Sequence, residues 1–119
     1  APAHASEAHS ASAGLEPQTL EARILQDADR LDALGAIGVA RCFYVSGRLG
    51  RPLFDPDDPL ARHRALDDSR FALDHFETKL FPVARALNTA TARRIGADRA
   101  QVMESFVQAL VAEIGEDLP

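Results

Sequence analysis

Gln26-Asp27-Ala28-Asp29-Arg30-Leu31-Asp32-Ala33-Leu34-Gly35-Ala36-Ile37-Gly38 sets three carboxylates and an arginine inside an otherwise apolar, helix-forming run. A carboxylate in a packed helix is costly unless something pairs with it, and a divalent metal is one such partner. Around this run Leu20, Ile24, Ala28, Leu31, Leu34 and Ile37 recur at three- and four-residue spacing, with Leu25 beside them. Val39, Phe43 and Tyr44 continue the apolar character. The spacing predicts one long helix, ended by Ser46-Gly47-Arg48-Leu49-Gly50-Arg51-Pro52. Its second half is apolar nearly all round, which predicts a central position. Gly35 and Gly38 each cost ~1 kcal/mol relative to alanine in a helix interior. Close approach of another helix, or of a ligand, would account for them.

Upstream, Glu16-Pro17-Gln18-Thr19 reads as a helix start, since proline is tolerated in a first turn. Ala1 to Gly14 is rich in Ala, Ser and His and reads as a flexible or weakly helical segment. Downstream, Asp55-Pro56-Asp57-Asp58-Pro59 lies in a long, turn-rich loop that reaches about Asp68. Asp67 or Asp68 is placed to cap a second helix running to about Leu80, with Phe71, Leu73, Phe76 and Leu80 as its apolar positions. Pro82 kinks or restarts it. Asn88-Thr89 opens a third, long helix whose apolar face is Ile95, Val102, Met103, Phe106, Leu110, Val111 and Ile114, stopped from Gly115 onward. No strand-period alternation and no internal repeat occurs. The class is all-α.

Hydrophobic residues make up 46% and charged residues 26% of the 119 residues, as expected of one globular domain with a real core. The formal net charge of -5 disfavours a general nucleic-acid binder, which needs a basic face. No apolar run approaches the ~20 residues of a membrane span, and Ala1 to Gly14 has no apolar core of a signal peptide, so a cytoplasmic location is expected. The one cysteine, Cys42, sits between Arg41 and Phe43 and reads as a small buried hydrophobe rather than a nucleophile.

Several residues are candidates for chemistry. On a helix Asp29 and Asp32 share a face, while Asp27 points elsewhere and Arg30 is spaced to pair with it. That pattern suits a solvated face with local ion pairs as well as a metal site, because one carboxylate is no site without further ligands. His4, His9, His63 and His75 show no metal-binding spacing, and His75 falls where it would be half-buried. Gly47-Arg48-Leu49-Gly50-Arg51 is either an anion site using the two guanidinium forks or a plain turn. Asp57 and Asp58 could reach a metal from the long loop.

Four segments, in order, resemble a subgroup of the bacterial HD-domain metal-dependent phosphohydrolases. They are Glu7-Ala8-His9-Ser10, the string from Glu21 to Arg41 that contains Asp27-Ala28-Asp29-Arg30-Leu31-Asp32, Asp74-His75-Phe76, and Leu87-Asn88-Thr89-Ala90-Thr91-Ala92-Arg93-Arg94. The resemblance implies an HD-domain-like helical bundle, incomplete at the N-terminus, with residues 15–119 as its C-terminal helical part. It implies a divalent metal (Mn, Mg, Ni or Fe) held by one histidine, an adjacent His-Asp pair and a distal aspartate. The distal aspartate matches Asp29, directly before Arg30-Leu31, with Asp27 as second choice. His9 matches a histidine near the family's active site, placed to contact phosphate or the metal's surroundings. Arg30, Asp32 and His75 match supporting positions. The implied activity is hydrolysis of nucleotides or related phosphate esters, in which the metal activates water and stabilises phosphoryl charge.

This chain departs from that pattern. Its histidines are followed by Ala, Ser, Arg and Phe, so no His-Asp dipeptide occurs. The resemblance then places the first histidine and the His-Asp pair upstream of Ala1, and the chain alone is expected to be inactive. The alternative is a non-catalytic helical binding or structural module derived from the HD fold. In either case apolar surface left uncovered would favour a homo-oligomer.

Overall fold

The computed structural model describes residues 19–115. These residues form α1 (Leu20–Leu31), α2 (Gly35–Arg48), a π-helical turn (Phe76–Leu80), α3 (Phe81–Arg85) and α4 (Ala90–Ile114). Among the described residues no strand occurs, and the class is all-α as predicted. The expectations for Ala1 to Gly14, Glu16-Pro17-Gln18, His4 and His9 lie outside the described residues.

The long helix α4 is the spine on which α1, α2 and α3 pack. It starts as the sequence predicts: the Thr89 side chain accepts a hydrogen bond from the Ala92 N–H at 3.2 Å. It stops at Gly115, in the left-handed region at φ 91°. Leu34, Met103 and Phe76 form the centre of the core with Cys42, Leu73, Leu80, Phe81 and Leu87. Phe76 stacks on Phe106 of α4 at 5.9 Å, and Phe43 of α2 tilts against Phe106 at 5.5 Å. Aromatic pairs in these geometries add about 0.5–1.5 kcal/mol each beyond the area they bury.

The single helix expected from Leu20 is two helices. Leu34 is extended (φ -112°, ψ 167°), and Gly35 follows at φ +75°, a conformation in which a Cβ is strained. Arg99 of α4 secures the break by donating at 2.6 Å to the Leu31 carbonyl, which also accepts from the Leu34 N–H at 3.1 Å at the end of α1. A Cβ on Gly35 would lie 3.0 Å from the Arg99 side chain, so this glycine does admit another helix. Gly38 instead makes room for the chain's own turn, because a Cβ there would lie 2.2 Å from the Ala33 carbonyl oxygen. Gly35→Ala is therefore expected to destabilise the protein by about 1–2 kcal/mol, the cost of a left-handed L-residue. Gly47→Ala, at a helical glycine with nothing within 4 Å, should be neutral or stabilising. Urea denaturation of the two variants checks the contrast.

α2 is not the central helix that its composition predicted. Its buried positions are the small residues Gly35, Gly38, Cys42 and Ser46, while Ile37 and Tyr44 are 68% and 64% exposed. α1 is rotated in the same sense: it buries Ala22, Gln26 and Asp27 and leaves Leu20 and Ile24 more than half exposed.

The second helix also differs from expectation. Phe71, Leu73, Phe76 and Leu80 are all buried, but neither Asp67 nor Asp68 caps a helix running from there. Asp67 closes a turn onto the Ser69 N–H at 3.1 Å. Asp68 turns to side chains, as described below. Regular structure begins later and passes through the π-helical turn into α3, with Pro82 in the first turn of α3. Proline offers no N–H and its ring crowds the carbonyl four residues back, that of Thr78. A widened turn relieves that conflict. Pro82 thus lies just after a change from π-helical to α-helical winding within a continuous helical stretch, rather than at a fresh helix start.

Candidate functional site

Asp27 is 3% exposed, and its carboxylate is occupied by the start of α4. Oδ1 accepts from the Asn88 N–H at 2.7 Å and from Asn88 Nδ2 at 3.0 Å. Oδ2 accepts from the Thr89 N–H at 2.9 Å. Burial pushes the carboxyl pKa up, but these bonds outweigh burial and hold it below its ordinary value. Gln26 joins the same junction by accepting from Asn88 Nδ2 at 2.7 Å. The buried face of α1 is thus a polar clasp on the N-terminus of α4, where the helix dipole favours negative charge.

Arg30 does not pair with Asp27, as the spacing allowed. It crosses to the end of α3 and donates through Nη1 to the Ala86 carbonyl at 2.5 Å. Its Nε is buried with no hydrogen-bond partner among the described residues. Asp29 is half-buried on α1, and Asp32 is exposed at the C-cap of that helix. Clasped to α4 by Asp27 and tied to α3 by Arg30, α1 holds Asp29 on a fixed platform. Among the described residues no three His, Cys, Asp or Glu side chains come together in a way that could hold a metal ion.

Of the loop carboxylates, Asp55 and Asp58 are committed to the loop itself, while Asp57 is exposed. Asp58 accepts from the Arg62 N–H and the His63 N–H, both at 2.9 Å. Asp55 accepts from the Asp57 N–H at 3.0 Å. Arg64 stands at the centre: its forked guanidinium grips the Asp74 carboxylate at 2.6 and 3.1 Å and reaches Asp55 at 2.8 Å. Asp74 lies only 2% exposed in the apolar run from Phe71 to Phe76. Sequence reading passed over this pair, although an acid inside an apolar run is the signal that drew attention to Asp27.

A second group lies between α2 and the π-helical turn. His75 Nδ1 is 2.8 Å from Asp68 Oδ2, which also accepts from Thr78 Oγ1 at 2.8 Å. The His75 and Thr78 bonds hold the Asp68 carboxyl pKa below its ordinary value. Beside the pair opens a cleft of about 160 Å³, lined by Arg41, Cys42, Ser46, Arg51, Asp68 and His75 among others. Periodicity could not have found this group, because Asp68 lies in irregular chain. Cys42 is buried as expected, with Sγ 3.6 Å from the Ala72 carbonyl oxygen. Burial pushes its thiol pKa up, away from nucleophilic use. No helix among the described residues is long and apolar enough to cross a membrane.

No family model matches the chain. YpgQ of Bacillus subtilis (strain 168) is 37% identical over 99 residues, which is 83% of this chain and 42% of that protein. The crystal structure of YpgQ in complex with ADP superimposes with a TM-score of 0.68 at 35% identity, over 82% of this chain and 45% of that one. An HD-superfamily hydrolase of Bacillus thuringiensis gives a TM-score of 0.69 at 37% identity, over 83% of this chain and 48% of that one. A Lactobacillus plantarum protein gives 0.74 at 39% identity, over 95% and 59%. The chain thus spans about half the length of the relatives it matches. Over that span its helical bundle has the fold of the HD-superfamily hydrolase, as the sequence predicted.

Proposed function

We propose that this chain carries part of a cytoplasmic HD-type phosphohydrolase, with Asp29 as one ligand of a divalent metal (Mn, Mg, Ni or Fe) and a nucleotide or related phosphate ester as substrate. The observation that carries this reading is the 37% identity to an HD-superfamily hydrolase over 83% of the chain. That YpgQ was solved with ADP supports a nucleotide as the ligand class. The geometry around Asp29 suits a ligand platform, since Asp27 and Arg30 fix α1 from two sides. Asp27 spends its own oxygens on that task, which favours Asp29 of the two. The described residues do not by themselves make a metal site, so the reading needs further ligands from outside them. His9 belongs to that outside set. Asp32 and His75 keep supporting roles in the proposal.

The same reading supports self-association. Leu20, Ile24 and Ile95 border an apolar groove of about 390 Å³ between α1 and α4, and Ile37 and Tyr44 are uncovered on α2. A second copy would remove that surface from water.

Manganese titrated calorimetrically into the protein with those further ligands in place tests the metal ligand. Binding, rather than turnover, is the readout. Binding that Asp29→Ala weakens at least tenfold and Asp57→Ala leaves unchanged is the expected result. Manganese binding that Asp29→Ala leaves unchanged removes Asp29 as a ligand and leaves the non-catalytic helical module.

A further inference from the structure

We propose that the cleft between α2 and the π-helical turn binds a phosphate group, gripped by Arg41 and Arg51 and faced by His75. The arginines of this chain sort into those with structural work and those without. Arg30, Arg93 and Arg99 donate to backbone carbonyls, Arg64 grips Asp55 and Asp74, and Arg48 and Arg70 lie over aromatic rings. Arg41 and Arg51 line one and the same cleft, and neither has a hydrogen-bond or ion-pair partner among the described residues. In a chain of net charge -5, two guanidinium groups without a hydrogen-bonded partner outnumber the single carboxylate that lines the same cavity.

The one carboxylate at the cleft, Asp68, feels the Arg51 charge and is hydrogen-bonded to His75 and Thr78, so it offsets one of the two guanidinium charges and leaves the other in excess. The Asp68 bond fixes His75 through Nδ1 and leaves Nε2 as the ring nitrogen for a ligand. Guanidinium forks match phosphate oxygens two at a time. The apolar walls from Val45 and Leu80 strengthen such a contact relative to open water. The turn Gly47 to Arg51 divides its two arginines accordingly: Arg48 lies 5.9 Å from the Tyr44 ring centroid, while Arg51 lines the cleft.

Size narrows the ligand. A volume of about 160 Å³ is below the ~300 Å³ at which sites for whole small molecules begin. It is several times the ~30 Å³ that one water occupies in the liquid. The cleft therefore takes a phosphate or diphosphate end, with the rest of any larger ligand outside. The choice of phosphate rests on the phosphohydrolase reading above, but the binding itself needs neither a metal nor Asp29.

Inorganic pyrophosphate, titrated into the chain without metal at low ionic strength, provides the test. The expected result is saturable binding that weakens tenfold or more in Arg51→Ala and in Arg41→Ala and is unchanged in Arg94→Ala, an exposed arginine of α4. Amide chemical shifts of Ser46 and His75 in the unmodified chain should move with the same saturation, which covers a variant that fails to fold. No saturable binding at millimolar pyrophosphate overturns the proposal. So does equal weakening in Arg94→Ala, which would mean diffuse attraction, or a titration in which Ser46 and His75 stay still. Because no metal is present, a failed manganese titration and a failed pyrophosphate titration remain separate results.

Discussion

Replacement of Arg64 by leucine is expected to cost about 3 kcal/mol of stability, the low end of the 3–5 kcal/mol for breaking a buried ion pair by removing one partner. The low end applies because the Arg64 side chain keeps 19% exposure, so water can reach part of the gap. For a domain of about 100 residues that is a fall in Tm of roughly 12–24 °C. The reason lies in how the chain between α2 and the π-helical turn is held. Loops longer than about 12–15 residues without regular structure are uncommon in compact domains and need their own organisation. Here the guanidinium donates to Asp55 Oδ2, both oxygens of Asp74, and the carbonyls of Asp58 and Ala65, which uses its full set of donors. It also lies 4.5 Å from the Phe71 ring centroid. Without it, Asp74 is a buried carboxylate whose remaining support is the Asp67 N–H at 2.7 Å.

Two further variants isolate the cause. Arg64→Lys offers a point charge in place of a fork and should recover only a minor part of the loss. Arg64→Leu combined with Asp74→Leu removes the buried pair, leaving only Asp55 without its partner, and should recover a larger part of it. Thermal unfolding followed by circular dichroism measures all three. A fall of under 3 °C in Arg64→Leu would show that the backbone bonds from the Ala72 and Leu73 N–H groups to the Pro52 and Leu53 carbonyls hold the loop instead.

The parts of this fold that were legible in the sequence are those set by local chemistry. Thr89 and Gly115 bound α4 where capping preferences put them, and Met103 and Val111 are fully buried on it, as their spacing predicts. What misled the reading was the assumption that large apolar side chains mark the buried face. In α1 and α2 the buried stripe is small or polar, Ala22, Gln26 and Asp27 followed by Gly35, Gly38, Cys42 and Ser46. A moment calculated from hydrophobicity cannot see a face whose burial depends on Asn88 and Thr89, some sixty residues away. The break at Asp32–Leu34 was hidden for a related reason: two glycines in an apolar run are compatible with a packed helix or a turn, and Arg99 decides between them from α4. Of the candidate site, the string around Asp29 was legible because its residues are contiguous. The Asp68–His75 pair and the arginines facing it were not, since they meet only after irregular chain has folded.

Asp27 separates the structural role of that string from its proposed chemical one. Asp27→Ala is expected to cost about 2–4 kcal/mol, because it strands the Asn88 and Thr89 N–H groups in a buried junction at about 1–3 kcal/mol for each unsatisfied donor. Asp27→Asn keeps one acceptor oxygen and should cost about 1–2 kcal/mol. The pH dependence follows from the lowered folded-state pKa. A carboxyl whose pKa is lower folded than unfolded contributes its full stabilisation above the unfolded value of about 3.9 and loses it as pH falls through the folded value. The stability gap between the native chain and Asp27→Asn should therefore be constant from pH 7 down to about 4 and narrow below that. Comparing the two by urea denaturation at each pH matters, because Asp55, Asp58, Asp67 and Asp68 also carry lowered pKa values and make both proteins acid-sensitive. A gap that persists unchanged at pH 3 would mean that the Asp27 charge contributes nothing at the α4 N-terminus. If Asp27 serves only to clasp α1 to α4, Asp27→Asn should lose stability while keeping manganese affinity. Asp29→Ala should do the reverse, and a shared loss of affinity would bring Asp27 back as a metal ligand.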